Sequence, residues 1–244
     1  MLPEQPYSNA ASRMRLSAVW VSESVRISQE ARTHLLAFFG CVVFAVLITW
    51  PMVLSPTEGL IGHPGNDTWN HAWGMWWVHD GLANRGGLPT HTGLLNYPDG
   101  GSLFFIDTFN AIWTAPIQRL FGLPFAYNFA ILMGVAWTAF GAWALAFYVL
   151  RDKAAASVAA VAFGCNAHLL GQTYNGITET VNAGWIPLFV LGLLKLVERP
   201  NWRRGIVLGL LFALCALSNF YYGLFCMLIG IVVLIHRGIS DGRR

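Results

Sequence analysis

The chain has 244 residues, 55% hydrophobic and 11% charged, with a formal net charge of +3 and a mean hydropathy of +0.51. A soluble domain carries about 25% charged residues, so this sequence is too poor in polar side chains to build a water-facing exterior, and a bilayer is part of its solvent. The basic residues sit at the edges of apolar runs and form no stripe, which excludes a nucleic-acid partner.

Residues 1–33 are polar, carry Arg13, Arg15, Arg26 and Arg32, and read as a cytoplasmic N-terminal segment. The apolar run Leu35 to Leu54 that follows has the length of a full span, is longer than a signal-peptide core, and lacks a small-residue cleavage site. It is therefore expected to be an uncleaved first transmembrane helix. Further apolar runs cover Leu123 to Leu150, Ala154 to Leu170, Val181 to Val197, Gly205 to Ser218 and Tyr221 to His236. In lipid a segment must satisfy its own backbone polar groups, so each is expected to be helical. Cys41, Cys165, Cys215 and Cys226 all lie in apolar runs without metal-like spacing and read as small buried hydrophobes.

The stretch Asp107 to Gly122 is apolar enough to suggest a seventh span, but the charge bias decides against it. With six spans, thirteen of the fifteen Lys and Arg residues fall on the side of the termini and only Arg85 and Arg119 fall outside. A span at Asp107 to Gly122 would move Arg151 and Lys153 outside and spoil that bias. The stretch also contains Pro116, Gln118 and Arg119, so it reads as a helix lying along the outer membrane surface. A second surface helix is expected from Asp67 to Asn84. At 100° per residue Trp69, Trp73, Trp76 and Trp77 share a stripe suited to headgroup level, while Asp67 and His71 lie opposite, one turn apart. The expected fold is all-α: a polytopic membrane protein with about six transmembrane helices and two amphipathic surface helices in the first outer loop. The membrane module covers 34–236, its outer loop 55–125, and 237–244 form a cytoplasmic tail.

The outer loop holds most of the residues able to do chemistry. Asp67 opens the tryptophan helix after a flexible approach, Gly62-His63-Pro64-Gly65-Asn66. It reads either as an N-cap or as a partly desolvated carboxylate fitted to act as a general base or metal ligand, and the two readings are compatible. His71 could share a proton or a metal with it, with His63 as a third ligand. Glu179 lies at the edge of the fourth span, where an acid is either a substrate contact or a wet headgroup-level group. Arg85 and Arg119, the only outer cations, could hold a lipid phosphate or simply anchor to anionic headgroups. There is no phosphate-binding glycine loop, no nucleophile elbow and no His-Glu-x-x-His.

Four stretches carry a resemblance: Asp67 to Trp77; Leu95 to Leu103, with Tyr97-Pro98; Trp185-Ile-Pro-Leu188; and Leu217 to Tyr222. With the early loop acid and the spacing of the spans, the chain from about Leu35 onward resembles the GT-C superfamily of membrane glycosyltransferases, in its bacterial protein-mannosyltransferase-like branch. The resemblance implies sugar transfer from a polyprenyl-phosphate donor at the outer face of the bacterial inner membrane. It makes Asp67 the catalytic base or metal ligand and Asp107 a second acid for a divalent metal (Mg or Mn), and it places Tyr97 with the substrate contacts. Family enzymes usually have eight or more spans, so the chain is expected to be the N-terminal half of an enzyme, a truncated reading frame or a reduced homologue, with a second polypeptide as the partner that would complete the fold. The competing expectation is a non-catalytic transporter component or assembly scaffold. The space around Asp67 discriminates: an enzyme needs a groove lined by Asp67, His71 and an Arg, whereas a scaffold leaves Asp67 as an exposed cap.

Overall fold

The computed structural model describes residues 29–102 and 107–241. The N-terminal segment up to residue 28, the last three residues, and Leu103 of the linker motif lie outside the described residues. By packing, the chain divides between Phe39 and Gly40. In residues 29–39, the start of helix α1 (Gln29–Ile48), the apolar side chains of Leu35, Leu36 and Phe39 are exposed. Everything below concerns the second unit.

Among the described residues the regular elements of this unit are helices apart from two paired two-residue strands. Helix α1 stops at Ile48 and not at Leu54, because Pro51 disfavours a helical residue before it, and Met52–Leu54 form a separate 3-10 turn. Helices α2 (Thr68–Asn84) and α3 (Thr108–Phe121) occupy the expected outer loop. Between them β1 (His91–Thr92) pairs antiparallel with β2 (Gly101–Ser102). Then follow α4 (Leu123–Leu150), α5 (Lys153–Gly164), α6 (Ala167–Asn175), α7 (Thr178–Val181), α8 (Trp185–Glu198), α9 (Trp202–Ser218) and α10 (Phe220–Asp241).

Among the described residues four helical stretches are long and apolar enough to cross a membrane, or five if α5 and α6, bent by 47°, count as one span. The chain is thus compatible with a multi-pass membrane protein. Helix α9, with 17 residues, reaches about 26 Å, short of the roughly 30 Å hydrocarbon core. Helix α3, with 14 residues, reaches only about 21 Å and does not span.

Helix α4 is the core element. Ala126, Tyr127, Ala130, Ile131, Val135, Ala136 and Ala139 are buried along it, and its small residues admit neighbours closely. At Gly134 a Cβ would lie 2.8 Å from a Val181 methyl, and at Gly141 it would meet the Gly184 carbonyl. Side-chain caps start the shorter helices: Asp152, Asn166 and Asn201 each accept the backbone N–H three residues on, at 2.9 Å.

The expected fourth span is broken between α7 and α8, and the break is paid in hydrogen bonds from neighbouring elements. Tyr222 Oη donates to the Thr180 carbonyl (2.5 Å), Thr138 Oγ1 to that of Val181 (2.7 Å) and Ser218 Oγ to that of Asn182 (3.5 Å). An interrupted helix is tolerated at such depth only where neighbours re-satisfy its backbone.

Candidate functional site

Helix α2 enters the core along Thr68, His71, Ala72, Met75 and Val78, a stripe with helical spacing, and all five are buried. The expected tryptophan platform is therefore split. Trp69 is 59% and Trp76 37% exposed, whereas Trp77 is buried, with Trp73 stacked on it at 5.7 Å. The reason is angular: Trp77 lies 100° beyond Trp76 on the helix, which turns it toward the interior.

Asp67 and His71 also part company. Asp67 is exposed at the N-cap of α2 and its carboxylate caps no backbone N–H. It accepts a hydrogen bond from Asn70 Nδ2 at 3.2 Å. His71 is buried and faces α3 and α7. There Thr178 Oγ1 donates to Asp107 Oδ2 and lies 3.2 Å from His71 Nδ1. Asn110 Nδ2 donates to Asp107 Oδ1 (2.6 Å) and to the Thr178 carbonyl (3.0 Å), and Trp113 Nε1 donates to Asn110 Oδ1 (2.8 Å). Glu179 adjoins the cluster, its carboxylate accepting from the Asp107 backbone. The junction thus joins His71, Asp107 and Glu179 from three separate helix ends.

Burial sets the charges here. It pushes Asp107 up to about 8, against the lowering effect of the Thr178 and Asn110 hydrogen bonds and with a smaller push from the Glu179 charge. Burial pulls His71 down to about 4, partly offset by the charge of Asp67. Both shifts favour the uncharged form, the arrangement a buried junction favours.

The remaining candidates are spread over the outer loop. Arg85 is engaged locally: its guanidinium lies 2.9 Å from Asp80 Oδ2 and 4.1 Å from the Trp77 ring centroid. Hydrogen bonds from Asn84 and Arg85 hold Asp80 below the usual carboxylate range. Arg119 is exposed in the last turn of α3. Tyr97 is 89% exposed, beside the β1–β2 connection. Among the described residues no group of three or more His, Cys, Asp or Glu side chains could hold a metal ion, and both Asp107 oxygens already take hydrogen bonds.

A groove of about 810 Å³ runs along the first turns of α2. Trp69, Trp73 and Trp76 line it together with Glu58, Asn70 and Leu95. Neither Asp67, His71 nor an Arg lines it, but Asp67 is one hydrogen bond away through Asn70.

The loop behind the groove is held by residues whose role the sequence did not reveal. Asn128 Oδ1 accepts from Ile61 N (2.8 Å), and its Nδ2 donates to the carbonyls of Pro56 (2.9 Å) and Gly59 (2.7 Å). Tyr127 Oη donates to the Gly176 carbonyl at 2.6 Å, and Asn66 Nδ2 to Asn175 Oδ1 at 2.5 Å. The available signal was an Asn within an apolar run, costly unless its amide is used. Comparison with known protein families, curated proteins and solved structures returned no match.

Proposed function

We propose that the chain is a GT-C-type membrane glycosyltransferase, or the N-terminal part of one, with about six spans. In this reading both termini are cytoplasmic, the membrane is the bacterial inner membrane, and α2, α3 and the groove lie on its outer face. The observation that supports it best is the tryptophan-lined groove of about 810 Å³, whose lining residue Asn70 donates a hydrogen bond to Asp67. Three tryptophans offer apolar faces to sugar rings and Glu58 and Asn70 add polar groups to the lining, the general composition of a small-ligand site.

In the proposed reaction Asp67 takes the proton of an acceptor hydroxyl. The acceptor oxygen forms a bond to the anomeric carbon of the donor as the bond from that carbon to the phosphate oxygen breaks, and the polyprenyl phosphate leaves with the electron pair. In this reading Arg119, exposed on α3, meets that phosphate, since Arg85 would first have to leave Asp80. Buried His71 and Asp107 act as positioning residues that fix α2 against α3 and α7.

One observation favours a second reading, a non-catalytic scaffold or transporter component: Asp67 is exposed and does not line the groove. A sugar-transfer assay in membranes separates the two. Asp67→Asn should abolish transfer while insertion and expression stay normal. Near-normal transfer by that variant would reject the catalytic reading.

A further inference from the structure

Helices α4, α5 and α8 leave a second groove, of about 700 Å³, between them. Leu145 and Val149 of α4, Ala159 and Ala162 of α5, and Ile186 and Val190 of α8 form its walls, and all its lining residues are apolar. It is open at the side, where Val149 is 59% and Phe163 37% exposed. Along α4 it extends from Ala142 to Leu150, about 12 Å at the helical rise and so close to one leaflet of a roughly 30 Å core.

The end of this groove is basic. Immediately after Leu150 the chain turns at Arg151, whose guanidinium lies 5.0 Å from the Tyr148 ring centroid. Lys195 Nζ approaches the same ring at 5.1 Å. Arg204 reaches the same corner, donating through Nη1 to the carbonyls of Lys195 (2.5 Å) and Arg199 (3.1 Å). Against these three cations stands Glu198, which accepts the Tyr148 hydroxyl hydrogen. The nearby acid Asp152 is committed to capping α5.

We propose that this groove and its basic corner form a binding site for an anionic membrane phospholipid, one acyl chain lying in the groove and the headgroup phosphate between Arg151 and Lys195. An apolar groove alone would accept any lipid tail or a partner helix. The convergence of Arg151, Lys195 and Arg204 at one end selects a negative group there, and basic pockets between membrane helices are suited to lipid phosphates. The site lies at the opposite end of α4 from Asn128 and the tryptophan groove, so it does not depend on the sugar-transfer reading.

Native mass spectrometry of the full chain in detergent tests it, with phosphatidylglycerol and phosphatidylcholine of equal chain length as probes. Phosphatidylglycerol should be retained roughly 25-fold better, about fivefold for each of two cations. The double variant Arg151→Gln/Lys195→Gln should bring that ratio close to one. Ala162→Phe, at an exposed position that fills the groove, should weaken phosphatidylglycerol binding about tenfold with all cations intact. Equal retention of the two lipids by the native chain, or an unchanged ratio in the double variant, would overturn the proposal. So would unimpaired binding by Ala162→Phe, which would leave only attraction to a basic surface. Cross-linking of an Ala162→Cys variant to another polypeptide in native membranes would assign the groove to a protein and likewise overturn it.

Discussion

Replacing Asp107 by Asn should flatten the stability of this protein between about pH 6.5 and pH 8. The Asp107 carboxyl is buried and pushed up to about 8, whereas in the unfolded chain it titrates near 3.9. Between those values the folded state keeps a proton that the unfolded state releases, so stability falls as pH rises. His71 works the other way: held down to about 4 by burial, it is neutral when folded while the unfolded histidine stays protonated up to about 6.5, and stability rises with pH over that interval. The two slopes oppose each other from about pH 4 to 6.5. Above that only Asp107 remains, and at about 1.36 kcal/mol per pH unit the native chain should lose about 2 kcal/mol by pH 8, roughly 4–8 °C in Tm for about 200 residues. An Asn side chain has the same shape, can still accept from Asn110, and carries no titrating proton. Thermal unfolding in detergent, followed by tryptophan fluorescence from pH 6 to 8.5, reads both proteins. A level Tm for the native chain across that window, or the same slope in the Asn variant, would refute the reasoning.

Other elements give sharper local tests. Thr138→Val removes the donor to the Val181 carbonyl and should cost about 1 kcal/mol, seen as a lowered denaturation midpoint; no shift would mean that the carbonyl finds another partner. Gly141→Val would drive a side chain into the Gly184 backbone and should destabilise by about 1–3 kcal/mol, whereas a variant as stable as the native chain would contradict the close α4–α8 approach. Asn128→Ala frees the Ile61 amide, whose hydrogen exchange should speed up about tenfold, equivalent to ~1.4 kcal/mol; unchanged exchange at Ile61 would show that the loop is held otherwise. Within the proposed function, Trp69→Ala should raise the donor KM more than it lowers kcat, and an unaltered KM would take Trp69 out of the donor site.

Much of the secondary structure was legible because it follows from local rules. The runs from Leu123, Gly205 and Tyr221 became α4, α9 and α10 with shifts of a few residues, since an apolar run is helical wherever it must satisfy its own backbone, whereas the run from Ala154 split into α5 and α6, bent by 47°. The loop stretch after Asp107 became a short helix, as its length and polar content implied. Other features required the neighbours. The first run ended early because Pro51 breaks it. The fourth was broken because side chains of α4, α9 and α10 take over its carbonyls, and nothing local in the run from Val181 announces those partners.

For the site, sequence by itself determined the inventory: an acid opening a tryptophan-rich helix, a histidine one turn later, and few cations in the outer loop. Tertiary structure alone decided how these divide. The 100° step of α2 places His71 on the same stripe as Met75 and Val78, so packing buried it while Asp67, at the helix end, stayed in water. Asp107 met His71 because α2, α3 and α7 converge there, and Thr178 and Asn110, unremarkable in the sequence, became its partners. Hydrophobic periodicity is carried by each segment alone, but whether a polar side chain faces water, a groove or another polar group depends on residues far along the chain, and that is settled only when the helices pack.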